Sequence, residues 1–61
     1  MKALRAWRVE RLLSIRVLAT AADVAPRTIQ ETEHGRSVPK MATMKKISAA
    51  LGVEPGEIAE F

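Results

Sequence analysis

The side chains best suited to recognising a partner lie in the middle of the chain, over residues 26–40. If residues 26–34 form a helix, its step of about 100° per residue places Ile29, Thr32 and Glu33 on one side. The other side then carries four polar residues, which are Arg27, Gln30, Glu31 and His34. The side with Ile29 has the apolar atoms that a core needs, so the polar side is the one that a ligand would meet.

The chemistry available on that polar side is hydrogen bonding to the edges of nucleic-acid bases. The Arg27 guanidinium can bind O6 and N7 of guanine together, a contact worth about 1–3 kcal/mol of discrimination between bases. Gln30 can pair with adenine or reach a phosphate. Glu31 can only accept, so it either takes the cytosine amino group or repels the DNA backbone in wrong registers. These three residues are the candidates for base contacts in the major groove if the partner is double-stranded DNA.

Residues for catalysis or metal binding are not grouped in this sequence. It has no Cys, and His34 is its single histidine. No thiolate or second imidazole is therefore present to bind a metal ion together with His34. It also has no glycine-rich phosphate loop, and its acidic residues are scattered over separate predicted helices. We expect a protein that is not an enzyme, with no metal, no cofactor and no small-molecule substrate.

The net charge of +3 is unevenly distributed along the 61 residues. Residues 1–46 hold all ten Lys and Arg residues against four acidic residues, whereas residues 47–61 hold three acidic residues and no base. A basic body suits a polyanionic partner, although an ordinary solvated surface would give the same pattern. The longest uncharged run has seven residues, against about 20 for a membrane helix. We expect no membrane partner and a cytoplasmic, nucleoid-associated protein.

The element that must position the polar side is a pair of short helices over residues 15–34. We predict one helix over residues 15–22 and a second over residues 26–34. Asp23 lies where the chain reverses, and Asp adopts the left-handed conformation more readily than most residues. Pro26 fits the first turn of the second helix, where a missing N–H costs nothing.

The remaining elements are predicted to complete an all-α, five-helix compact bundle in a single domain, residues 1–61. A first helix over residues 2–12 carries an apolar stripe that Leu12 joins. A fourth helix begins near Met41 and turns one face to the core, formed by Met44, Ile47, Ser48 and Leu51. A short fifth helix is predicted over residues 55–60.

The residues of this two-helix unit also carry a family resemblance. Residues 13–39 read Leu-Ser-(x)3-Leu-Ala-(x)4-Val-(x)3-Thr-Ile-(x)3-Glu-(x)-Gly-(x)3-Pro, and Ala-Leu-Gly-Val follows at residues 50–53. The pattern resembles the phage repressor and Cro-type helix-turn-helix family, and the resemblance covers nearly the whole chain. It implies a lambda-repressor-like DNA-binding domain whose third helix, about residues 26–34, enters the major groove, in a transcriptional regulator.

The resemblance also implies roles for residues around the third helix. Three side chains match positions where this family contacts the DNA backbone, which are His34, Arg36 and Lys40, and Thr28 is a fourth predicted phosphate contact. His34 has an alternative role as a cap for the carbonyl end of its helix. In this family an arginine at the Arg8 position commonly pairs with the glutamate at the Glu33 position, which predicts a partly buried ion pair rather than two separate surface charges.

Two departures from the family pattern affect the expected binding. The family often has glutamine as the first residue of the second helix and again of the third, where this chain has Ile15 and Pro26. With fewer groups to read bases, binding as a homodimer to two half-sites is expected. The alternative is a protein-interaction module on the same fold, antitoxin-like or an adaptor, in which the Ile15 and Pro26 surface meets another protein. DNA binding would weaken with rising salt, and a mainly apolar interface would not.

Overall fold

The computed structural model describes all 61 residues and contains four α-helices and one short 3-10 turn. The helices are α1 (Leu4–Glu10), α2 (Ile15–Ala22), α3 (Pro26–Glu33) and α4 (Met41–Leu51). The two helices predicted over residues 15–34 are confirmed, with α3 ending one residue earlier than expected. No helix combines the length and the apolar character needed to cross a lipid bilayer.

The predicted fifth helix over residues 55–60 is wrong, because only Pro55–Glu57 forms a single 3-10 turn. Ile58 has extended backbone angles, φ −102° and ψ 122°, and pairs with Lys2 in an isolated parallel bridge. The Ala59 amide donates to the Lys2 carbonyl at 2.8 Å, so backbone groups that would extend a helix bond to the N-terminal segment instead. The all-α class is correct, and the number of helices is four.

The first helix is shorter than the predicted residues 2–12 at both ends. Lys2 lies in the bridge to Ile58, so α1 begins at Leu4. At the other end Leu12 has φ 56°, and the Leu13 amide turns back to the Arg8 carbonyl at 3.1 Å. The Leu12 side chain is 92% exposed, so its predicted place in the apolar stripe is wrong.

The core is formed by apolar side chains from every helix and from the C-terminal segment. Its largest fully buried members come from five different parts of the chain and are Leu4, Leu18, Ile29, Ile47 and Ile58. Burying a side chain of this size stabilises the fold by about 1.5–3 kcal/mol. Because each short helix is marginal on its own, this shared core is what holds α3 in a fixed place.

Side chains in α1 and next to it connect the N-terminal part of the chain to its C-terminal part. The Trp7 ring donates from Nε1 to the Glu57 carbonyl at 2.8 Å, and the ammonium of Lys2 lies 4.4 Å from the ring centre. Arg11 lies over the same ring at 4.8 Å and donates from Nε to the Leu51 carbonyl at 2.6 Å. Trp7 is therefore a half-buried residue with polar contacts at its edge and cations beside its ring.

Leu12 gives a direct test of backbone strain. A left-handed conformation costs an ordinary residue roughly 1–2 kcal/mol. Glycine avoids this cost, but about half of the resulting gain in stability is lost because glycine makes the unfolded chain more flexible. We predict that Leu12→Gly raises the free energy of unfolding by about 0.5–1 kcal/mol relative to Leu12→Ala, measured by urea unfolding. Both variants remove the exposed Leu12 side chain beyond Cβ and differ only in that methyl group, so a lower stability for the glycine variant would contradict the assignment of strain.

Candidate nucleic-acid interface

The corner between α2 and α3 is built from local capping interactions. The Ser14 hydroxyl accepts a hydrogen bond from the Val17 amide at 3.0 Å, which fixes the start of α2. Asp23 has the left-handed angles φ 56° and ψ 49°, and the Val24 amide bonds back to the Ala19 carbonyl at 3.0 Å. Ala19 is only 1% exposed, because its methyl group allows the two helices to approach closely. The predicted reversal at Asp23 is confirmed.

The inward side of α3 holds the helix against the body of the protein. Ile29 and Thr32 are 0% and 1% exposed, and the Thr32 hydroxyl donates to the Thr28 carbonyl at 2.8 Å. This bond satisfies a polar group that burial would otherwise penalise. The predicted division of α3 into an inner and an outer side is confirmed.

Arg8 of α1 and Glu33 of α3 form a nearly buried, two-point ion pair. Arg8 Nε donates to Glu33 Oε2 at 2.7 Å, and a second guanidinium nitrogen donates to Oε1 at 3.1 Å. Their side chains are 12% and 6% exposed. The hydrogen bond to Glu33 raises the pKa of the Arg8 guanidinium, with burial acting in the opposite direction. Arg8 also donates to the Leu13 carbonyl at 3.0 Å, so one side chain links α1, the following turn and α3.

The outward side of α3 presents Arg27, Gln30 and Glu31 in different degrees of exposure. The Arg27 side chain is 85% exposed and that of Glu31 is 24% exposed, while Gln30 is also exposed. Arg27 Nε lies 3.4 Å from Glu31 Oε1, one helical turn away. The guanidinium therefore lies outside the protein body, and its two terminal nitrogens make no hydrogen bond within the protein.

The end of α3 fixes the backbone that leads to the candidate phosphate contacts. His34 Nδ1 lies 2.8 Å from the Gln30 carbonyl, which can only accept, so Nδ1 donates. Nε2 then has a proton for a phosphate only in the imidazolium form. Gly35 follows with φ 69°, and the Arg36 amide bonds to the Glu31 carbonyl at 2.9 Å. Nδ1 of His34 thus caps the carbonyl end of α3, and Nε2 makes no hydrogen bond within the protein.

Three further cationic side chains of the candidate interface are exposed and lie outside the ion pairs of the protein. Arg36 and Lys40 are exposed, and none of the five ion pairs includes either residue. Arg16, in the first turn of α2, is likewise exposed and outside these ion pairs. Sequence reasoning did not select Arg16, although its position two residues after the Ser14 cap was a usable signal.

Ile15 does not form the exposed apolar surface that the protein-interaction alternative required. Its side chain is half-buried and packs against the core, whereas Pro26 is exposed. Ile15 thus has a packing role at the start of α2. The exposed residues that follow Pro26 on α3 include the polar Arg27 and Gln30.

Comparison with known proteins gives two matches. The helix-turn-helix family profile matches residues 4–58 of this chain. The chain is also similar to the HTH-type transcriptional repressor RghR of Bacillus subtilis (strain 168), with 47% identity over 51 residues. This alignment covers 82% of the chain and 38% of the relative, so the chain spans well under half of that protein's length. No solved structure matches the chain significantly.

The Arg8–Glu33 pair predicts a large and specific loss of stability. Arg8→Ala leaves the Glu33 carboxylate buried without its partner, which should cost about 3–5 kcal/mol of unfolding free energy. Lys2→Ala breaks the exposed pair with Glu10 and the contact with the Trp7 ring, and should cost far less than Arg8→Ala because solvent screens these charges. Urea unfolding measures both.

The substitution Arg8→Lys provides a second test if Arg8→Ala does not fold. Lysine keeps the charge but loses the two-point geometry, so its stability should fall between the parent and the alanine variant. An Arg8→Ala variant as stable as Lys2→Ala would show that the pair contributes no more than a surface contact.

Proposed function

Because this chain belongs to the helix-turn-helix family, we propose that it binds double-stranded DNA in a sequence-specific manner as part of a transcriptional regulator. Its activity is binding without catalysis, carried out on the nucleoid in the cytoplasm. The observation that supports this proposal most is the placement of α3. Its inner side is fixed by Ile29 and Glu33, while the Arg27 guanidinium extends into solvent.

Insertion of α3 into the major groove follows from its size and exposure. The major groove of B-DNA is about 12 Å wide and admits one α-helix. In this arrangement Arg27 donates to O6 and N7 of a guanine, and Gln30 pairs with adenine or with a phosphate. Pro26, as the first residue of α3, has no donor, so Arg27 is the first side chain that can read a base.

Phosphate contacts surround α3 and set its register on the duplex. They come from the side chains of Thr28, His34, Arg36 and Lys40, with Arg16 on α2 as an added contact. Arg36 and Lys40 are the strongest of these, because each is a solvent-exposed cation without an ion-pair partner in the protein. Such contacts provide affinity that does not depend on base sequence.

Binding as a homodimer would offset the small number of base-reading groups. One copy of α3 offers two or three such side chains, whereas a dimer would double that number over two half-sites. Half-sites read by two such helices are spaced by about 34 Å, or one turn of DNA. We infer a two-fold related DNA site for the same reason.

Arg27 should control sequence preference. Arg27→Ala removes the guanidinium that binds guanine, so the preference for that base at one position should fall by about fivefold or more. Selection of binding sites from random duplexes, with parent and variant in parallel, measures this preference. An unchanged selected site for Arg27→Ala would show that another residue reads the base.

Arg36 and Lys40 should control affinity without sequence preference. Each substitution to alanine should weaken binding to all duplexes about equally and reduce the slope of log affinity against log salt by about one. Lys2→Ala is the matched control, because Lys2 is already paired with Glu10. Binding that does not respond to salt would favour the protein-interaction alternative over DNA.

A further inference from the structure

Arg27 and Glu31 form an ion pair on the outer side of α3, one helical turn apart. We propose that Glu31 is a positioning residue, which directs the Arg27 guanidinium toward a guanine rather than reading a base itself. This inference rests on the proposed DNA binding and refines it, because it names the source of the preference for guanine. It differs from the initial assignment of Glu31 as a base-contacting residue.

The contact leaves the two terminal guanidinium nitrogens of Arg27 available. Glu31 Oε1 is approached by Arg27 Nε, so both terminal guanidinium nitrogens remain free. A guanine needs two donors, one for O6 and one for N7, and these two nitrogens supply them. The contact with Glu31 therefore does not compete with the base for the same hydrogen atoms.

Glu31 is the less exposed partner of the two. Its side chain is 24% exposed, against 85% for Arg27, and its backbone carbonyl accepts from the Arg36 amide in the turn that ends α3. Arg27 by contrast has no other side-chain partner. A less exposed carboxylate one helical turn away limits the directions that the exposed guanidinium adopts.

The length of the contact sets how much it contributes before and after DNA binds. At 3.4 Å in solvent, a pair of this kind adds little to the stability of the free helix. When the groove excludes water, the same charges interact more strongly. Orienting one flexible side chain in advance increases affinity for its target by roughly two- to tenfold.

The charge of Glu31 supports the same assignment. A carboxylate in a groove bordered by phosphates is repelled unless a cation neutralises it. Arg27 is the only cation within ion-pair distance of Glu31 in this structure. Arg27 thus reduces the repulsion between Glu31 and the phosphates, and Glu31 in turn orients Arg27.

The test is a double-mutant cycle with Arg27→Ala, Glu31→Gln and both together. Glutamine keeps the length of the side chain and removes its charge. Site selection from random duplexes gives the preference for guanine at the position that Arg27→Ala relaxes, and affinity for an unrelated duplex is measured separately. Asp23→Asn is the matched control, because it also removes one exposed negative charge and asparagine tolerates the left-handed angles at that position.

We expect Glu31→Gln to lower the guanine preference at that same position by about two- to tenfold. The double variant should show no further loss beyond Arg27→Ala. Glu31→Gln should also increase affinity for the unrelated duplex more in the Arg27→Ala background, where the carboxylate is unneutralised, than in the parent. Asp23→Asn should leave the guanine preference unchanged.

Two results would overturn the positioning role. One is a Glu31→Gln variant with the parent's guanine preference, and the other is a changed preference at a different base pair, which would show that Glu31 contacts a base directly. Either result leaves DNA binding intact, since the parent and Arg27→Ala still differ. If the parent selects no site at all, the proposed function itself fails.

Discussion

The two-point ion pair between Arg8 and Glu33 is the constraint on which the rest of the structure depends. Both carboxylate oxygens of Glu33 and three groups of Arg8 are used, at 2.7–3.1 Å and with little exposure. The pair joins α1 to the last turn of α3, and the same arginine holds the turn after α1. Desolvating two charges is costly, so this arrangement stabilises one geometry far more than any approximate one. The orientation of α3 is set by this pair together with the burial of Ile29.

The third helix carries two Arg–Glu pairs with opposite properties. On its inner side, Glu33 binds an arginine from another helix closely and away from water. On its outer side, Glu31 approaches Arg27 on the same helix at a long distance, with the guanidinium almost fully solvated. The first pair is complete within the protein, and the second leaves both terminal guanidinium nitrogens of Arg27 unused. This difference between the two sides of one helix is the reason to place a ligand on the outer side.

Local signals predicted most of the recognition unit, and contacts between distant residues explain what was missed. The cap at Ser14, the reversal at Asp23 and the start at Pro26 depend on neighbouring residues, so the sequence alone located α2 and α3. The bridge between Lys2 and Ile58 joins the two ends of the chain, and no local pattern encodes it, which is why a fifth helix was predicted wrongly. The stripe on α1 continues to Leu12 in the sequence, but the turn bonded to Arg8 ends the helix before that residue. The polar side of α3 followed from helical spacing, whereas the 3.4 Å distance between Arg27 and Glu31 depends on side-chain rotamers that spacing does not determine.

In the proposed complex, the outer side of α3 enters the major groove of duplex DNA. Methylation interference tests this directly, because methyl groups at guanine N7 lie in the major groove and those at adenine N3 lie in the minor groove. If α3 lies in the major groove of a duplex selected by the protein, methylated guanines within each half-site should prevent binding and methylated adenines should not. Interference confined to adenine N3, or absent at every base, would contradict it.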